Sequence, residues 1–215
     1  MGKDTSRQRT VIAQQAARLM AEEGIADYAF AKRKAARQLG LGDMHSLPGN
    51  AEIETALREY QELYHADEQP QQLQLLREDA LAVMRLLDRF DPHLTGSVLD
   101  GTAGRYAQTE IHLFADSDKE VEIFLLNNKI PYHNEEHSYH MGSERRKTPV
   151  FVLDGMHGII KLSVFSSSDP RASVRGTSRP PQRAATKVGK INSSIFLPMP
   201  KNLNNFRFLI RKSIG

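Results

Sequence analysis

Apolar residues recur at helical spacing early in the chain. Val11, Ile12, Ala16, Leu19 and Met20 fall on one face at 3.6 residues per turn, so residues 8–39 read as helix. Gly24 breaks that run, and Asp27 is placed to cap a second helix over 29–39. Gly40, Gly42, Pro48 and Gly49 mark a loop. Asn50 is then a suitable N-cap for a third helix over 52–65, rich in Glu, with Ile53, Leu57 and Tyr60 on one side. The polar run 67–72 reads as a hinge. A fourth helix is expected over 73–90, burying Leu76, Ala80, Val83, Met84 and Leu87, and Asp91-Pro92 ends it.

The pattern then shifts from a period near four to a period of two. Residues 94–99 are short and Gly-bearing, and Thr109–Ala115 alternates as a strand does. Ser117 with Glu120 three residues on forms a capping box for a helix over 119–128. A strand starts within 139–141. Two more, 149–153 and 158–165, form a hairpin around Asp154-Gly155-Met156-His157. The fold class expected is therefore α+β: a small mixed sheet with flanking helices, preceded by a helical N-terminal region. The expected divisions are a helical region over 1–72, an α/β domain over 73–166 and a basic, flexible tail over 167–215. No internal repeat is visible.

Charge sharpens that last boundary. Residues 1–169 hold 19 Lys+Arg against 26 Asp+Glu, whereas residues 170–215 hold 10 Lys+Arg and no acid. The net charge of +3 therefore hides an acidic body and a basic end, and such an end can bind nucleic acid by releasing counterions. Ser166–Ser168, Pro170, Pro180 and Pro181 have linker composition, and two apolar clusters follow, Ile195-Phe196-Leu197 and residues 206–210. No run of about 18 apolar residues occurs, so no membrane partner is expected. The polar N-terminus lacks an apolar signal core, and there is no cysteine, which fits a cytoplasmic protein.

One stretch carries candidate chemistry. Gly96-Ser97 is followed, after twelve residues, by the strand segment Glu110-Ile111-His112-Leu113. Nucleotidyl transfer needs a cradle for the triphosphate, which backbone N–H groups at a Gly/Ser turn entering a helix can supply. It needs carboxylates that hold two divalent ions at the attacking and leaving oxygens. It also needs a base for the nucleophile. Two carboxylates at i and i+2 of a strand share a face and can share metals.

That layout resembles the DNA polymerase β-like nucleotidyltransferase superfamily, whose signature is a Gly-Ser pair, a spacer, then acid–apolar–acid–apolar. The resemblance covers residues 86–165. Within it, "GSVLDGTAGRYAQTEIHLFAD" followed by a capped helix and "IPY" resembles a bacterial nucleotidyltransferase-like group with a degenerate acidic motif. It implies that Gly96 and Ser97 bind the triphosphate and that Glu110 is a metal ligand and catalytic group. His112 stands at the second catalytic position, with Mg²⁺ and an NTP as cofactor and substrate if the site is active. His112 is a poor Mg²⁺ ligand. The third carboxylate of active members sits on a later strand, and strand 158–165 offers Lys161 and Ser163 on one face instead. Asp100, Asp116, Glu122 and Asp154 are the remaining acids that a different register would bring in.

Two functions follow from the resemblance. One is transfer of a nucleoside monophosphate from an NTP to an acceptor. The other is an inactive relative that binds a nucleotide, a nucleic acid or a protein, with the basic tail as a nucleic-acid contact. A helical interaction module joined to an unrelated α+β domain is a third reading. Three further clusters have simpler expectations. His133, Glu135, Glu136, His137 and His140 would set two histidines on one helix face only if the segment were helical, and Pro131, Asn134 and Gly142 favour a polar loop. Lys32, Arg33, Lys34 and Arg37 make a basic helix, expected to pair with the Glu-rich third helix. His45 and His157 fall in turns at the surface.

Overall fold

The computed structural model describes residues 2–41, 47–141, 144–169, 174–176 and 186–187. The basic tail expected over 167–215 thus lies outside the described residues except for 167–169, 174–176 and 186–187. The two C-terminal apolar clusters and His45 also lie outside them. The chain forms two compact units. Among the described residues, the first holds those up to Gln72 with Thr102–Ala107; the second holds Leu73–Gly101 and the described residues from Gln108 onward.

The first unit is built on three helices: α1 (Gly2–Glu23), α2 (Tyr28–Gln38) and α3 (Asn50–Tyr64). Their shared core is Ile12, Ala16, Ala17 and Leu19 from α1, Ala31, Ala35 and Ala36 from α2, and Ile53 and Leu57 from α3. Alanine at so many inward positions lets the helices approach closely, while Ile12 and Ile53, both fully buried, fill the space between them. Val11, expected on the inner face, is 39% exposed. Asp27 caps α2 by accepting from the Phe30 N–H at 2.9 Å. The cap of α3 is Gly49 rather than Asn50. Glu52 accepts from the Gly49 N–H at 2.6 Å, and Asn50 enters the first turn and accepts from Lys32 Nζ. Gly24 sits at φ +70°, and a Cβ there would come within 2.8 Å of Tyr106 Cβ, so this turn needs glycine.

The run 67–72, expected as a hinge, is instead a turn followed by the start of α4 (Glu68–Leu86). Pro70 lies in the first turn of that helix, where a missing N–H costs nothing. A 3₁₀ turn, Asp88–Phe90, follows α4.

The second unit is a mixed sheet with helices. Its strands are β1 (His93–Thr95), β2 (Thr109–Ala115), β3 (His133–Met141), β4 (Glu144–Asp154), β5 (Ile159–Ser166), β6 (Val174–Gly176) and β7 (Thr186–Lys187). They lie in the order β6-β3-β4-β5-β2-β1-β7. Among the described residues only β2 and β5 pair in parallel; the other described pairs are antiparallel. A short helix α5 (Gly96–Asp100) joins β1 towards β2, and α6 (Asp118–Asn127) packs against β2 and β5. Ser117 caps α6 through the Lys119 N–H. The architecture is thus α+β, a helical region ahead of a five-stranded mixed core sheet with flanking helices and two short edge strands.

The hairpin β3–β4 is longer than its sequence suggests. Residues 133–138 have no apolar alternation because that part of the ribbon is polar on both faces, and pairing with β4 decides its conformation. Among the described residues no helix is long and apolar enough to cross a membrane.

Candidate functional site

The sheet register gathers the sequence-derived residues at one end of one face. Thr95 pairs with Glu110 across β1 and β2, and His93 pairs with His112. Gly96, at φ 88°, turns the chain directly from β1 into α5, a conformation costly for any residue with a Cβ. The Gly96-Ser97 turn therefore lies beside Glu110, and Thr95 Oγ1 donates to the Glu110 carbonyl at 3.3 Å.

Across the parallel pair, Glu110 stands beside Lys161, His112 beside Ser163, and Phe114 beside Phe165. Strand geometry puts these six side chains on one face, with Ile111 and Leu113 on the other. Beside Glu110 the parallel pairing therefore sets the ammonium-bearing Lys161, not a second carboxylate. Its ammonium is engaged: Nζ donates to Glu135 Oε2 of β3 at 2.8 Å, and Glu135 also contacts His137 at 3.0 Å. The bond from Lys161 holds the Glu135 carboxyl below its ordinary range, and His137 adds to that shift.

His112 is inside the protein, 3% exposed. Its ring packs edge-on to Tyr139 at 5.6 Å and against Phe165 at 4.8 Å. Tyr139 OH and Ser163 Oγ share a hydrogen bond of 2.7 Å in the same layer. His112 is thus part of an aromatic layer with Phe114, Tyr139 and Phe165.

This donor set does not fit a pair of hard divalent ions. Such ions take oxygen ligands, and beside Glu110 the sheet offers an ammonium and a buried imidazole. Among the described residues no group of three His, Asp or Glu side chains is arranged to hold a metal. The other acids have separate roles. Asp116 accepts from Ser167 Oγ, Glu122 from the Tyr132 hydroxyl at 2.7 Å, and Asp154 ends β4. Asp100 closes α5.

The histidine cluster is strand, not loop or helix. His133 and His137 are four residues apart on β3, so at about 3.3 Å per residue they are about 13 Å apart and cannot chelate one ion. The basic helix α2 is tied within its own unit. Lys32 Nζ donates to the Pro48 carbonyl and Asn50 Oδ1 at 2.9 Å each, and burial pulls its pKa down. Lys34 pairs with Glu23 of α1, while Glu52 of the Glu-rich helix takes Arg9.

Sequence reasoning missed Asp79. This carboxylate on α4 is 3% exposed and accepts from the His157 N–H at 2.8 Å, with Oδ1 3.0 Å from His157 Nδ1. It ties the helix ahead of the Gly-Ser turn to the β4–β5 turn, and β5 carries Lys161. Its signal in the sequence is an acid between Leu76 and Ala80 on an apolar helix face. Reading His157 as a plain surface turn residue therefore undersold it. No protein-family model and no curated protein matches this chain.

Proposed function

We propose that this chain is a nucleotidyltransferase-like protein that binds a nucleoside phosphate and does not transfer it. The observation that carries the reading is the register that sets Lys161 beside Glu110 where a metal-bridging acid would stand. An ammonium held in place by Glu135 can offset phosphate charge without a metal, and Lys161 on β5 and the Gly96-Ser97 turn after β1 flank Glu110 from the two sides of β2. Transfer needs two ions at the reacting oxygens, and among the described residues no set of three His, Asp or Glu side chains is placed to hold one. A cytoplasmic setting belongs to the same reading, and a chain without cysteine is compatible with it.

Thermal-shift measurements with ATP, GTP, CTP and UTP in EDTA test this reading. A stabilising shift that survives EDTA and is lost in Lys161→Ala and Ser97→Pro is expected. Incubation with α-labelled NTP and Mg²⁺ or Mn²⁺ should leave acceptors unlabelled. Label transfer that disappears in Glu110→Ala would restore the enzyme reading. No shift with any nucleotide would remove the nucleotide site altogether.

A further inference from the structure

The helical unit carries two solvent-facing surfaces of opposite charge. On α2, Phe30, Arg33 and Arg37 recur at i, i+3 and i+7, so they share one face, turned away from the buried stripe of Ala31 and Ala35. All three are exposed, Phe30 at 49%. On α3, Glu59, Glu62 and Leu63 fall at i, i+3 and i+4, turned away from the buried Ile53, Leu57 and Gln61. Leu63 is 74% exposed and Tyr64 beside it 64%, the two most exposed large hydrophobic side chains among the described residues. Asp67 and Glu68, also exposed, continue the acidic surface.

These charges are unmatched within the unit. Lys32 and Lys34 of the basic helix are engaged, with Asn50 and Glu23, and Glu54 takes Arg58. Among the described residues none of Arg33, Arg37, Glu59, Glu62, Asp67 or Glu68 forms an ion pair. Each surface lies on the side of its helix away from the shared core, so the complementarity that α2 and α3 carry in sequence is left unused inside the unit.

We propose that these two surfaces join copies of this chain, the α2 face of one copy docking on the α3 face of another. Charge complementarity decides the pairing. A contact of α2 with α2 would set arginine against arginine, and α3 with α3 glutamate against glutamate, so the mixed contact is the attractive one. Exposed ion pairs add little energy by themselves. The affinity comes from withdrawing Phe30, Leu63 and Tyr64 from water, at about 25 cal/mol per Å² of apolar surface, while the charges choose the partner. Aromatic and arginine side chains are enriched at protein interfaces, and the α2 face offers both. Each copy presents both faces, so in a closed two-fold pair the contact forms twice. This inference does not depend on the nucleotide site.

Sedimentation velocity of the full chain between about 1 µM and about 1 mM, the range in which a small interface dissociates, tests it. The wild-type sedimentation coefficient should rise with concentration. Arg33→Glu with Arg37→Glu makes both faces acidic, and Glu59→Arg with Glu62→Arg makes both basic. Each variant alone should associate at least about tenfold more weakly than wild type. An equimolar mixture of the two should recover association, because both contacts become complementary again. Leu63→Ser, which changes no charge, should weaken association about tenfold. These side chains are exposed, so each variant should keep the wild-type circular dichroism melt, which separates loss of the contact from loss of fold. A wild-type chain that stays monomeric through this range would overturn the proposal. So would association that neither charge swap weakens, or swapped variants that stay apart when mixed.

Discussion

Removing the Asp79 carboxylate should cost the second unit a large part of its stability. Asp79 is 3% exposed and accepts two hydrogen bonds from one residue, the His157 backbone N–H at 2.8 Å and its ring Nδ1 at 3.0 Å. A hydrogen bond to a charged group contributes about 1.5–3 kcal/mol. The His157 side chain is 23% exposed, so water can take over part of the ring contact, and the lower half of that range applies. Asp79→Ala is therefore expected to destabilise by about 3 kcal/mol. With a urea m-value of about 2–3 kcal/mol/M, the midpoint should fall by about 1–1.5 M. Asp79→Asn keeps one acceptor and should lose about half as much. His157→Ala, combined with Asp79→Ala in a double-mutant cycle, should show a coupling of at least about 1 kcal/mol. Urea titration followed by circular dichroism gives the free energies, and hydrogen exchange at the His157 amide reports the turn itself. A loss below about 1 kcal/mol for Asp79→Ala, with unchanged protection of that amide, would refute the reasoning.

Other perturbations follow from the same geometry. Gly155→Ala would put a Cβ 2.6 Å from the Gly158 carbonyl oxygen and 2.8 Å from Ile160 Cδ1; a backbone oxygen cannot yield, and urea titration should show a loss of about 1–3 kcal/mol. Gly24→Ala meets both φ +70° and Tyr106 Cβ at 2.8 Å, and should lower the melting temperature of the helical unit, whereas an unchanged melt would contradict that crowding. Acid should dissolve the Lys161–Glu135 contact. The Glu135 carboxyl is held below its ordinary value of 4.5, so the pair stabilises fully above that pH and is lost as pH falls through the depressed folded value. The stability difference between wild type and Glu135→Gln should accordingly shrink below about pH 4.5, and a difference constant across that range would argue against the pair.

Much of the fold was legible because its elements announce themselves locally. The inward stripe of Ile12, Ala16 and Leu19, the Asp27 cap and the Ser117 cap all act within one or two turns. The Gly-Ser turn and the β2 strand were also readable from spacing alone. What escaped depends on partners distant in sequence. Residues 133–138 became a strand only by pairing with β4, and Glu135 met Lys161 only through the β3-β4-β5 register, 26 residues apart. Asp79 looked like one more helix acid until the hairpin turn, 78 residues later, supplied its donors. Pro70 misled in the opposite direction, since a residue that usually breaks a helix is harmless in a first turn. The candidate site divides the same way. Its position at the β1–β2 end could be read from the motif, but the neighbour that changes its chemistry, Lys161, is set by a parallel pairing no local pattern encodes.

The most direct measurement is Mn²⁺ binding followed by electron paramagnetic resonance, with NTP present at near-neutral pH. Lys161 beside Glu110, and His112 closed into the aromatic layer, predict that adding the protein leaves the metal signal of Mn²⁺ with NTP unchanged apart from simple nucleotide binding. One or two tightly held ions per chain, released by Glu110→Gln, would contradict the account and return a two-metal centre to this face.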